Sequence, residues 1–122
     1  MIQYYMKKIT SLFYTNSNNK KPVREWLLSL DKADRKIIGE DIKTVEYAFP
    51  IGMPVCRKLG SKLYEVRSNI SDKRISRVIF TIVSEYMILL NGFIKKDQKT
   101  PKAEIDLALS RKKPFYKEHL KQ

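Results

Sequence analysis

The stretch LYEVRSNISDKRISRVIFTIVSEYMILLNGFIKK, residues 63–96, decides the fold, because apolar and polar residues alternate through most of it. Successive side chains of a strand point to opposite faces, so a period of two marks a half-buried strand. In LYEVRSNI, Tyr64, Val66 and Ile70 fall on one face and Glu65 and Arg67 on the other. Asn69 to Lys73 has turn chemistry, and RISRVIFTIV then sets Val78, Phe80 and Ile82 opposite Arg77 and Thr81. A hairpin is expected. The next run, YMILLNGFI, is apolar on both faces over Met87 to Leu90, which fits a central strand covered on both sides or the middle of a short sheet. Gly92 marks a bulge or a close approach.

Upstream the period becomes helical. Pro22 suits a first helical turn, and Val23, Trp26, Leu27 and Leu30 follow at helical spacing. Asp31 can cap a second helix with Asp34 in its first turn. Its stripe of Ile37, Ile38, Ile42, Val45 and Phe49 runs until Pro50 and Gly52 stop it. The two helices form a hairpin. Before them, Tyr4 to Tyr14 reads as a strand and TNSNNKK as a loop. Downstream, Pro101 opens a third helical pattern carrying Ile105, Leu107 and Leu109. A charged tail, RKKPFYKEHLKQ, follows from about residue 111 and is interrupted by Pro114. The expectation is one α+β domain over residues 1–122. A small, mainly antiparallel sheet packs with an N-terminal helical hairpin and a C-terminal helix, in the order βααβββα.

With 122 residues, 43% of them hydrophobic, the chain has apolar surface for a single core. Its one cysteine, Cys56, can form neither an internal disulfide nor a cysteine-based zinc site, so a reducing compartment, the cytoplasm, is expected. Polar residues interrupt every apolar run of MIQYYMKKITSLFY, unlike a signal peptide, and no window approaches a membrane span. The net charge of +12 and pI near 9.8 favour a polyanionic partner. That charge is unevenly placed. Residues 31–48 carry four basic and five acidic side chains, too balanced for a helix that binds membranes. Residues 57–77 carry seven basic against two acidic, and residues 95–117 eight against three, so 15 of the 25 basic residues lie in two blocks beside the strands.

The segments PVREWLLSLDKADRKIIGEDIKTVEY, GMPVCRKLGSKLYEVRSN, RISRVIF and LLNGFIKKDQKTPKAEIDLA together resemble the phage-associated branch of the RelE/HigB toxin superfamily, over about residues 20–110. The ordered series of EVR, the R-V-I-F strand and GFIKK-x-QKTP carries the likeness. The resemblance implies a RelE-like fold and a type II toxin, a ribosome-dependent endoribonuclease that cleaves messenger RNA without a metal or other cofactor. Its implied partners are messenger RNA on the ribosome, ribosomal RNA and a cognate antitoxin, a helix-turn-helix DNA-binding protein. Arg67 matches the arginine thought to contact the reacting phosphate, Lys95 and Lys96 match a basic pair at the end of the last strand, and Arg77 matches a frequent arginine of the neighbouring strand. Many relatives have histidine where this chain has Asn91, which leaves the general acid unassigned.

Metal-free RNA cleavage needs a base for the 2′-OH, positive charge for the phosphorane and an acid for the 5′ oxygen. The only histidine is His119, in the charged tail, where a solvated side chain is the simpler reading. Neighbouring cations depress a lysine pKa, so one of Lys95 and Lys96 could exchange a proton while the other and Arg67 hold the phosphate. Arg57, Lys58, Lys62, Lys99 and Lys102, with Tyr64, Asn91 and Phe93, complete the candidate RNA-binding set, although the alternation favours Tyr64 as a core residue over a base-stacking one. Cys56 fits a small half-buried hydrophobe, Trp26 a packing residue, and Glu40, Asp41 and Glu46 a solvated helix face. The alternative function is a non-catalytic basic RNA- or DNA-binding module.

Overall fold

The computed structural model describes residues 6–95 and 99–120, with side chains except those of residues 95 and 117–120. The elements are β1 (Thr10–Phe13), α1 (Pro22–Leu28), α2 (Lys32–Ala48), β2 (Cys56–Gly60), β3 (Leu63–Ile70), a 3-10 turn (Ser71–Lys73), β4 (Arg74–Val83), β5 (Tyr86–Lys95) and α3 (Lys102–Leu120). They build one five-stranded sheet in the order β1-β5-β4-β3-β2. β2 to β5 pair antiparallel, while β1 returns beside β5 in parallel. The α+β architecture expected from the alternation is therefore present.

Both faces of the sheet are covered. Val66, Val78, Phe80, Met87 and Leu89 meet Val23, Ile38, Ile42 and Val45 of α1 and α2. On the other face Leu63, Ile79, Ile88 and Leu90 meet Ala108 of α3. Such two-sided burial explains why Met87 to Leu90 is apolar without alternation. The register passes from Ile79↔Asn91 to Phe80↔Leu89, which leaves Leu90 as an extra residue and forms a bulge. Gly92 next to it serves a close approach: a Cβ there would lie 2.4 Å from Trp26 Cε3. Trp26 is thus the wedge by which α1 seats on β5.

Four expectations change. CRKLG forms an additional strand, β2, so four strands follow the helices instead of three. α3 continues through Pro114 to Leu120, so the charged segment from 111 is helical instead of a separate tail. β1 is shorter than the expected strand over Tyr4 to Tyr14, of which residues 4 and 5 lie outside the described residues. Asp31 precedes α2 without a side-chain capping bond. Asp34 is buried instead, accepting bonds from the Ser71 backbone N–H (3.0 Å), the Ser71 hydroxyl (2.9 Å) and Arg74 Nη2 (3.0 Å). It ties the β3–β4 turn to α2.

Candidate functional site

Strand register lays the candidate residues out in rows across the face that α3 covers. Glu65, Ile79 and Asn91 form one row, Arg67, Arg77 and Phe93 the next, and Asn69, Ile75 and Lys95 the third. Because alternate residues share a face, Arg67, Arg77, Asn91 and Phe93 all belong to this side of the sheet. The Lys95 side chain and Lys96 lie outside the described residues, as does the His119 side chain.

At the centre is Glu65, fully buried. The Thr100 hydroxyl, just ahead of α3, donates to Glu65 Oε2 at 2.6 Å and accepts from Arg77 Nη1 at 3.3 Å. Glu65 Oε1 makes no hydrogen bond among the described residues and lies 4.0 Å from Arg67 Nε. Burying a carboxylate is costly unless cations and donors surround it. Here Arg67 and the Thr100 hydroxyl do so, with Arg77 behind Thr100.

The two arginines differ in what they can reach. Arg77 is completely buried, and its guanidinium donates to the Thr100 hydroxyl instead of lying open on the surface. Arg67 keeps some solvent exposure, lies 4.0 Å from Met53 Sδ through Nη1, and borders a shallow pocket with Asp41, Pro54, Val55 and Asn69. A guanidinium in that position can bind phosphate oxygens.

Along the sheet edge, Arg57 pairs in register with Glu65, and it lines a second depression with Lys58, Leu59, Lys99, Thr100 and Ile105. Arg57, Lys58 and Lys99 are therefore brought beside Thr100 as an exposed cationic rim. Phe93 is half-buried in the α3-side core. Asn91 is buried and donates through Nδ2 to the Glu104 carbonyl (3.2 Å) and to Glu104 Oε1 (3.0 Å), which anchors α3. A neutral amide so engaged has no proton to transfer.

Three other candidates stand apart. Tyr64 lies on the opposite face, stacked on Phe80 at 5.4 Å between ring centroids and edge-on to Phe49 at 5.2 Å, so it is a core residue and not a base-stacking platform. Lys62 occupies the β2–β3 turn at the far end of β3. Lys102 opens α3 in a 2.9 Å pair with Asp106, whose hydrogen bond and charge raise its pKa.

Glu46 also departs from the solvated face expected for it. It is buried, accepts the Ser11 N–H at 2.7 Å and pairs with Lys7 at 3.5 Å, which fills an open hydrogen-bonding position on edge strand β1. Cys56 is buried, and burial followed by the Glu65 charge pushes its thiol up to about 11. No group of three or more His, Cys, Asp or Glu among the described residues could hold a metal ion, and none of the described helices is long and apolar enough to cross a membrane.

Glu65 and Thr100 were not anticipated as the pivot of this face. The available signal was a glutamate inside an alternating strand two residues before an arginine.

Sheet order, flanking helices and the arginine-bearing face define a small α+β protein of RelE-like fold. Residues 25–113 match the family model Phage derived protein Gp49-like, and the chain belongs to that family, which is of the HigB-like toxin type. No curated protein matches the chain.

Proposed function

We propose that the protein is the toxin of a type II toxin-antitoxin pair, an endoribonuclease that cleaves messenger RNA on the ribosome. The observation that carries this reading is the partly exposed Arg67, held over buried Glu65 and in register with buried Arg77 on a face rimmed by Arg57, Lys58 and Lys99. In the reaction the 2′ oxygen attacks phosphorus, the P–O5′ bond breaks, and a 2′,3′-cyclic phosphate and a 5′-hydroxyl result. Arg67 binds the non-bridging oxygens as charge builds on them. The basic pair Lys95 and Lys96 accepts the 2′ proton and returns one to the 5′ oxygen. This needs one of the two to be neutral, which the neighbouring cations favour. Arg57, Lys58 and Lys99 supply charge for the RNA backbone, so affinity falls with salt. An acidic antitoxin segment covering the same rim holds the toxin silent in the cytoplasm.

Induced expression tests the proposal: growth arrest is expected, relieved by Arg67→Ala and by the double Lys95→Ala/Lys96→Ala variant. Full toxicity of both variants contradicts the site assignment. The second reading, a binder without catalysis, draws on the Asn91 amide, which is spent on Glu104 and offers no acid. It predicts inhibited translation with no new RNA ends.

A further inference from the structure

A second cationic feature lies away from Arg67, where the β2–β3 turn meets the far end of α3. Ser61 and Lys62 connect the strands with φ of 52° and 62°, both in the left-handed region. A two-residue turn of this kind is best served by Asn-Gly, so a lysine in the second place is held against its backbone preference. The surroundings hold it. The Thr81 hydroxyl donates to the Lys62 carbonyl at 2.7 Å, and Lys112 Nζ donates to the Ser61 carbonyl at 2.7 Å.

Lys112 and Tyr116 are one helical turn apart on α3 and so share a side of it. The Tyr116 hydroxyl donates to the Ile82 carbonyl at 2.7 Å and lies 2.9 Å from Thr81 Oγ1, which fixes the ring against the sheet. Lys62 Nζ then sits 4.8 Å and Lys112 Nζ 4.9 Å from the centroid of that one ring. Neither ammonium has a carboxylate within ion-pair distance among the described residues. Burial and then the Lys62 charge depress the Lys112 pKa.

We propose that Lys62, Lys112 and Tyr116 form a preorganised clamp for the phosphate oxygens of a folded RNA backbone, separate from the Arg67 site. The RNA identity of the ligand rests on the proposed function; the clamp itself rests on this geometry. Lys62 immediately precedes β3 and Arg67 lies five residues further on, about 17 Å at strand rise, a span that one RNA surface can cover. An ammonium contacts phosphate as a point charge and reads no sequence, so the clamp orients the protein and leaves base choice to other groups. The tyrosine face keeps both side chains extended, which lowers the entropy lost on binding.

Binding of the full chain to purified small ribosomal subunits, measured across a potassium chloride series, tests this. Lys62→Gln/Lys112→Gln is expected to bind roughly tenfold more weakly at 0.1 M salt, with the slope of log affinity against log salt reduced by about 2. Each single substitution removes about 1 from the slope, and the single Lys62→Gln change on an exposed turn guards against misfolding of the double variant. Lys62→Arg/Lys112→Arg keeps the wild-type slope. An unchanged slope in the glutamine variants, with wild-type protein binding normally, overturns the clamp and leaves the proposed function standing. Loss of binding to an acidic polypeptide with ribosome binding intact overturns the assignment to RNA. Wild-type protein that does not bind the subunits overturns both proposals.

Discussion

Arg67 and Arg77 stand directly opposite each other on β3 and β4, yet Arg67 reaches solvent while Arg77 is fully buried and holds Thr100, just ahead of α3. The same residue type is thereby given two roles. Arg77→Ala removes the buried guanidinium that donates to Thr100 and is expected to destabilise the fold by about 1–3 kcal/mol, as for other buried groups that lose a hydrogen-bond partner. Arg67→Lys, which keeps a cation beside Glu65 but loses the planar fork that holds a phosphate, is expected to cut cleavage strongly while moving the urea midpoint far less. Equal loss of stability in the two variants, read by urea denaturation, goes against this division.

Gly92 has no room for a side chain because the Trp26 ring occupies the position of its Cβ. Gly92→Ala should therefore displace Trp26 and cost about 1–3 kcal/mol, the usual range for overpacking. Trp26 is the only tryptophan, so the shift appears directly as a red-shifted emission spectrum. Wild-type emission and an unchanged thermal midpoint count against the close contact.

The Asp34 carboxyl is held below its ordinary 3.8, first by the Ser71 backbone N–H, then by the Ser71 hydroxyl and Arg74, against an opposing effect of burial. A depressed folded-state pKa stabilises the protein above the unfolded value, and that contribution is lost as pH falls through the folded value. Asp34→Asn is accordingly expected to lower the thermal midpoint at pH 7, with the gap to wild type closing on acidification below pH 3.8. A gap that stays constant down to acid shows that the ionised carboxylate contributes nothing.

Cys56, with its thiol pushed up to about 11 and buried against Val66, presents almost no thiolate at pH 8. A thiol reagent should label it only after unfolding, at a rate that follows added urea. Rapid labelling of the native protein contradicts its burial.

The fold was legible wherever periodicity was strong. The alternation of residues 63–83 gave two strands and their turn, and the stripe from Ile38 to Val45 gave α2. β2 was not legible, because Arg57 and Lys58 are both exposed and CRKLG has no period to read. Pro114 looked like a stop from local chemistry alone, but Tyr116 beyond it is bonded to β4, and that packing holds the helix together past it. For the candidate site, sequence identified the cations but not their depth. Arg77 and Arg67 look alike until register and burial are known, and nothing in the sequence brings Thr100 to Glu65.

The most direct test is to add the purified protein to a translation reaction on a defined message and map RNA ends by primer extension. Direct kinase labelling of the fragments then detects 5′-hydroxyl groups. New ends within translated codons, bearing 5′-hydroxyls, dependent on ribosomes and absent with Arg67→Ala, are the expected result. Blocked translation with the message intact, or cleavage that persists undiminished in Arg67→Ala, contradicts an endoribonuclease site built on Arg67.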